Sequence, residues 1–205
     1  MLSFIGFDKD AFEVFTVPDF KLRMPLLRSR ITPQLRELGT DLIPVLSRLT
    51  KEQLYPHVAL HMRRTVNPPE ATWVAFGREK RAYKPYVHFR ATIMEKETRM
   101  TCFVEDYADD KLLFADRLAE NAQALAEHCL KNPSITFYSL EGEPITADNL
   151  RGFAERMRRV KGQHAIVGIT ISRRKALASG DKLSKEFVKA AKLLMPFYNL
   201  GRHEE

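Results

Sequence analysis

Residues 55–106 read YPHVALHMRRTVNPPEATWVAFGREKRAYKPYVHFRATIMEKETRMTCFVED and contain four runs that are typical of β-strands. These runs alternate apolar and polar residues, or are rich in β-branched and aromatic ones. The predicted strands are Tyr55–Met62, Thr72–Phe76, Val87–Met94 and Arg99–Asp106. Glu95–Thr98 is a polar connection of hairpin length. Four strands with short connections predict an antiparallel meander.

The segments on both sides of the meander show helical spacing. Thr32 is a predicted N-cap with Pro33 at the first helical position, and Gly39 is a predicted restart of that helix. Asp109 is predicted to cap a helix, and two later strands are predicted at Ile135–Leu140 and His164–Ser172. The chain is therefore predicted to be α+β, a single domain over residues 1–205 with an antiparallel sheet packed with helices. Its parts are a helical region at about 9–49, a sheet-rich region at about 55–106 and an alternating helix and strand region at about 109–198.

The charge of the chain points to anionic partners. The net charge is +7, while the hydrophobic fraction of 44% is that of an ordered globular protein. A basic surface favours an anionic small molecule or nucleic acid as partner.

Cysteine usage and hydropathy indicate the compartment. Cys102 and Cys129 are too few for a disulfide framework and are predicted to be buried thiols. The first residues lack the basic and apolar pattern of a leader, and Ala165–Ile171 is far shorter than the roughly 20 residues that cross a bilayer. We expect a cytoplasmic protein without a membrane segment.

Residues 57–89 concentrate the chemically active side chains. Arginine forks suit phosphate and carboxylate groups, and two consecutive prolines stiffen the loop that follows the first strand. We expect the cations to pair with charge, the asparagine to orient a ligand, the histidines to form pH-sensitive hydrogen bonds and the aromatic rings to stack or form walls. The predicted ligand-binding residues are His57, His61, Arg63, Arg64, Asn67, Trp73, Arg81, Tyr83, Lys84 and His88.

A purely structural role for the same segment is the main alternative. Arg63 and Arg64 would then pair with Glu105 or Asp106, and Trp73 would belong to the core. The two interpretations differ in whether the cationic groups share a hollow or are neutralised one by one.

Motifs for metal binding and catalysis are missing from the sequence. His57 and His61 would bind one ion if they lay on a helix, but on a strand they are roughly 13 Å apart. Neither Gly-rich phosphate loops nor nucleophile motifs occur, so we expect no metal and no cofactor and leave the catalytic residues unassigned.

A second basic region follows the sheet. Arg156, Arg158, Arg159 and Lys161 fall at a helix C-terminus, where the helix dipole favours cations. The last predicted helix, Lys182–Phe197, carries lysines opposite apolar residues, as an ordinary amphipathic helix does. Alignment of this region with the first cluster would favour nucleic-acid binding.

The string PHVALHMRRTVNPPEATWVAFGREKRAYKPYVHF resembles the YktB-like family of uncharacterised proteins from Gram-positive bacteria. The opening SFIGFDKDAFEVF is similar too. The resemblance implies an α+β fold and transfers no catalytic residue.

Three functions remain open from the sequence. The first is an anionic-ligand binding domain, for a nucleotide-like molecule or nucleic acid. The second is a small enzyme that acts on a phosphorylated or acidic substrate with a histidine general base, which requires a perturbed histidine beside a carboxylate. The third is a protein-interaction module, which requires a flat or apolar patch.

Overall fold

A six-stranded antiparallel sheet organises the chain. The computed structural model describes residues 3–62 and 64–202. The strand order is β1-β2-β3-β4-β6-β5, which confirms the predicted meander and the two later strands. The strands are β1 Tyr55–Val58, β2 Ala71–Gly77, β3 His88–Met94, β4 Glu97–Val104, β5 Ile135–Phe137 and β6 Ala165–Ser172.

The helices precede the meander and surround β5 and β6. Their bounds are α1 Lys9–Glu13, α2 Phe20–Leu26, α3 Thr32–Thr50, α4 Lys111–Glu120, α5 Ala122–Lys131, α6 Ala147–Arg159, α7 Arg173–Ser179 and α8 Leu183–Tyr198. Strand pairing and helix packing together confirm the α+β class.

The two faces of the sheet have opposite chemistry. One face is apolar, with Val74, Phe89 and Met100 buried in the core against helices such as α3 and α8. The other face is polar, because the alternate positions of the same strands point away from that core. The register places His57 and Arg90 on either side of Ala75 in one row of this polar face.

The long helix before the meander is continuous, so the predicted N-cap at Thr32 is wrong. A π-helical turn at Leu27–Ile31 leads directly into α3, and the Thr32 hydroxyl donates to the Leu27 carbonyl. Gly39 does not restart the helix either. A Cβ at Gly39 would lie 3.1 Å from the Pro56 Cβ, so the missing side chain lets α3 approach the sheet closely.

Other element boundaries also differ from the predictions. The first strand ends at Val58, and His61 has a left-handed backbone with φ of 51°, which no strand residue adopts. The helix predicted from Asp109 begins at Lys111 and is interrupted at Asn121. Helix α7 was not predicted.

The described residues contain no helix that is both long and apolar enough to cross a membrane. Cys102 and Cys129 are free and buried, as predicted. Burial raises the pKa of the Cys102 thiol well above its ordinary value and that of Cys129 to about 11.

Candidate functional site

A cavity of about 640 Å³ opens on the polar side of β1 and β2. It lies between the segment that follows β1 and the loop that joins β2 to β3. We call it the cation cavity, and its lining residues are His57, Val58, Ala59, Leu60, His61, Met62, Arg64, Trp73, Arg81, Ala82, Tyr83, Lys84 and Tyr107.

Three cations of the cation cavity have no carboxylate partner among the residues that the structure describes. Arg64, Arg81 and Lys84 are exposed, and none of the described lining residues is Asp or Glu. Within the described parts of the chain, none of the three forms a salt bridge, and the Arg64 guanidinium donates to the Asn67 carbonyl at 3.4 Å. Their positive charge is therefore available to an anion that enters the cavity.

Planar side chains form the floor of the cation cavity. The Trp73 indole N–H donates to the Tyr83 hydroxyl at 3.3 Å, and the His57 ring lies 5.3 Å from the Tyr83 ring. Tyr83 reaches this position because β2 ends in a glycine: a Cβ at Gly77 would lie 2.5 Å from the Tyr83 Cβ. The β2–β3 loop thus folds back over the sheet and places a tyrosine over it.

Both histidines of the cation cavity are uncharged at neutral pH. The His57 Nε2–H donates to the Glu79 carbonyl at 2.8 Å, and burial lowers the pKa of the ring. Burial and the nearby Arg64 lower the pKa of His61 to about 4, while its Nε2 lies 3.1 Å from the Thr72 hydroxyl. The enzyme alternative predicts a perturbed histidine beside a carboxylate, but none of the described residues that line this cavity is Asp or Glu.

A buried arginine supports the floor from below. The Arg90 guanidinium packs 3.5 Å from the centre of the Phe103 ring and 5.0 Å from that of Trp73. Its Nη2 forms a 2.5 Å ion pair with Glu105, and its Nε donates to Nε2 of His88 at 2.9 Å. The planar groups above are thereby held in one arrangement.

The tautomer of His88 is fixed by this network. Its Nδ1–H donates to the Tyr86 carbonyl at 2.7 Å, which leaves Nε2 as the acceptor for Arg90. Burial, with a further contribution from Arg90, holds the pKa of His88 well below its ordinary value. His88 is thus a neutral supporting residue.

The structure brings together seven of the ten predicted site residues. His88 is not among them, because it is fully buried beneath the Tyr83 ring, with ring centres 4.9 Å apart. Asn67 is exposed and does not line the cavity, and Arg63 lies outside the described residues. The binding role of the seven stays a prediction: they are His57, His61, Arg64, Trp73, Arg81, Tyr83 and Lys84.

Sequence reasoning missed Arg90, which pairs with Glu105 in place of the suggested Arg64. The sequence could have indicated this residue, because Arg90 is two positions from His88 in a predicted strand and therefore lies on the same face. Glu105 could not be identified as the partner of Arg90 from the sequence, because the β3–β4 register that brings the two side chains together is known only from the folded sheet.

The second basic region does not join the cation cavity. None of its cations lines the cavity, and several are neutralised within the described chain: Arg158 pairs with Asp116 and Glu155, and Arg173 pairs with Glu13. Lys175 and Lys189 both bind Glu186. These contacts are those of an ordinary solvated surface.

Comparisons with known proteins cover nearly the whole chain. A family model described as a domain of unknown function, DUF1054, matches residues 7–198. A UPF0637 protein of Oceanobacillus iheyensis is 31% identical, with 96% of each chain covered. A UPF0637 protein of Shouchella clausii is 30% identical over 96% of this chain and 94% of that protein, and one of Listeria monocytogenes is 30% identical over 96% and 98%.

Proposed function

We propose, on the premise that this chain belongs to the DUF1054 family, that it binds a small phosphorylated ligand with a planar ring, such as a nucleotide. The family membership confirms the resemblance to the YktB-like proteins of Gram-positive bacteria. The family description names no reaction, so the proposal rests on the residues of this chain. The single observation that carries it is a cavity in which three cations, without a carboxylate partner in the described chain, lie beside an aromatic floor.

The size and the chemistry of the cation cavity both suit such a ligand. Its volume of about 640 Å³ falls in the range of small-molecule sites. Arg64 and Arg81 present guanidinium forks that match phosphate oxygens, and Lys84 adds a compact charge. Trp73 and Tyr83 are aromatic rings that a heterocycle can contact by offset stacking or edge to face.

A small ligand is favoured over nucleic acid because the cations of the cation cavity surround one concave site with an aromatic floor. Arg64, Arg81 and Lys84 line one cavity together with Trp73 and Tyr83, whereas a backbone-binding surface needs a track of cations along the strand. In the described chain, the second basic region lies outside this cavity, and five of its cations are paired with carboxylates: Arg158, Arg159, Arg173, Lys175 and Lys189. Nucleic acid is therefore the competing outcome of the test.

A thermal-shift experiment tests the proposal with adenosine, adenosine monophosphate, adenosine triphosphate, inorganic pyrophosphate and a short oligoribonucleotide, each at low and high salt. We expect the nucleotides to raise Tm. Adenosine and pyrophosphate should raise it less, because adenosine can contact only the aromatic floor and pyrophosphate only the cations. A ligand present at about 100 times its Kd stabilises the folded state by about 2.7 kcal/mol.

Two double variants with the same charge change separate a site from general attraction. Arg64→Gln with Arg81→Gln removes two cations from the cation cavity, and Lys131→Gln with Arg174→Gln removes two exposed cations that do not line it. Nucleotide stabilisation should be lost only in the first variant. Equal losses in both, or stabilisation by the oligoribonucleotide alone that vanishes with salt, would contradict the proposal.

We also propose a cytoplasmic location, which agrees with the two free thiols and is tested by cell fractionation. Turnover of a bound nucleotide during the assay would favour the enzyme alternative.

A further inference from the structure

Two carboxylates and a histidine converge at the ends of β4 and β6, outside the cation cavity. Each of Glu105, Asp106 and His164 offers one ligand atom, and these atoms lie within 4.8 Å of one another. We call them the carboxylate–histidine cluster. It lies on the polar side of the sheet, where the Phe103 ring is 5.8 Å from the His164 ring.

The distances within the cluster suit a shared ion. The His164 Nδ1 lies 3.4 Å from Oε2 of Glu105 and 3.8 Å from Oδ1 of Asp106. An ion about 2.1 Å from Nδ1 and from either oxygen would subtend an angle of roughly 110° with Glu105 and roughly 130° with Asp106, so each nitrogen–oxygen distance allows a shared ion.

The glutamate of the cluster is held in place by a supporting residue. Arg90 binds Oε1 of Glu105, which leaves Oε2 directed toward His164. Arg90 is itself held by the neutral His88, so the orientation of the carboxylate is fixed by two successive buried contacts. Metal ligands in proteins are commonly oriented by hydrogen bonds of this kind.

The histidine is already in the form that binds a metal. Its Nδ1 accepts a hydrogen bond from the Asp106 backbone N–H at 3.2 Å, so this nitrogen carries a lone pair and no proton. An ion that binds Nδ1 would take this lone pair and displace the hydrogen bond from the Asp106 N–H. The His164 side chain is 41% exposed, which gives an ion a route from solvent.

The charge around the cluster also favours a cation. Arg90 offsets the charge of Glu105, but among the described residues no Lys or Arg lies within salt-bridge distance of the Asp106 carboxylate. The side chain of Asp106 is only 19% exposed, so its charge is partly removed from water.

We propose that Glu105, Asp106 and His164 bind a divalent transition-metal ion, with at least one coordination position left open at the polar face of the sheet. One nitrogen and two carboxylate oxygens suit zinc, cobalt or manganese better than calcium, which prefers six or more oxygens. The proposal does not depend on the binding of a nucleotide in the cation cavity.

The test is a titration of the metal-stripped full chain with cobalt, followed by visible absorption and by calorimetry, and then with zinc as a competitor. We expect one ion per chain, with absorption of the intensity that marks four- or five-coordinate cobalt. His164→Ala and Asp106→Asn should each weaken binding about tenfold or more.

Asp109→Asn is the matched control, because it removes an exposed carboxylate close to the cluster in the chain. Its affinity should equal that of the unmodified protein. Thermal unfolding in EDTA shows whether each variant is folded, and Asp106→Asn keeps the size of the side chain in case the histidine variant is not. Binding of no stoichiometric ion, or equal affinity in all variants, would overturn the proposal.

Discussion

Replacing Arg90 with Met should destabilise the protein far more than the loss of a surface ion pair. The substitution leaves the Glu105 carboxylate, which is 6% exposed, without its guanidinium partner and removes the donor to His88. Breaking a buried pair in this way costs about 3–5 kcal/mol. For a chain of 205 residues this corresponds to a fall in Tm of roughly 6–20 °C.

The assay is urea unfolding in EDTA, so that no metal contributes. Arg158→Met is the control, because its partner Asp116 is 56% exposed at the side chain and the pair contributes at most about 1 kcal/mol. The double variant Arg90→Met with Glu105→Met removes both charges and should recover most of the loss, since apolar groups can replace a buried pair. A loss below about 1 kcal/mol for Arg90→Met, or a double variant as unstable as the single one, would refute the reasoning.

Three further predictions concern the histidine, the glycine and the thiols. The pKa of His61 is about 4 in the folded chain against an ordinary 6.5, so the unfolded chain binds more protons between these values. Stability should therefore fall as pH drops from 6.5 toward 4, and His61→Gln should flatten that part of the curve in unfolding measured against pH; an unchanged curve would contradict it. Gly77→Ala should displace Tyr83 and lower Tm by several degrees, with a shift in tryptophan emission that a merely local strain would not produce. Cys102 and Cys129 should resist a thiol reagent at pH 8 in native buffer and both react in urea; rapid labelling of Cys102 without urea would contradict its burial.

The strands were predictable because one face of the sheet is buried. Alternation in residues 87–106 places Phe89 and Met100 on the inward face. This assignment does not depend on where each strand begins or ends. The same rule failed beyond Val58, because Leu60 and Met62 continue the alternation although both are exposed. Local capping signals failed at Thr32, where packing of α3 on the sheet outweighs the preference of one residue.

The cation cavity was partly predictable because its residues are close in sequence. Arg81, Tyr83 and Lys84 belong to one loop, so any fold of that loop keeps them near each other. The burial of His88 was not predictable, since it depends on Tyr83 folding back over Gly77. The carboxylate–histidine cluster joins residues 58 positions apart, and only the pairing of β4 with β6 brings them together.

The most direct test of the central claim uses the only tryptophan of the chain, Trp73, which lies in the floor of the cation cavity. Adenosine triphosphate should change its emission in a saturable titration, and Arg64→Gln with Arg81→Gln should abolish the change while Lys131→Gln with Arg174→Gln leaves it intact. An emission that does not respond to the nucleotide, or that responds equally in both double variants, would contradict the account.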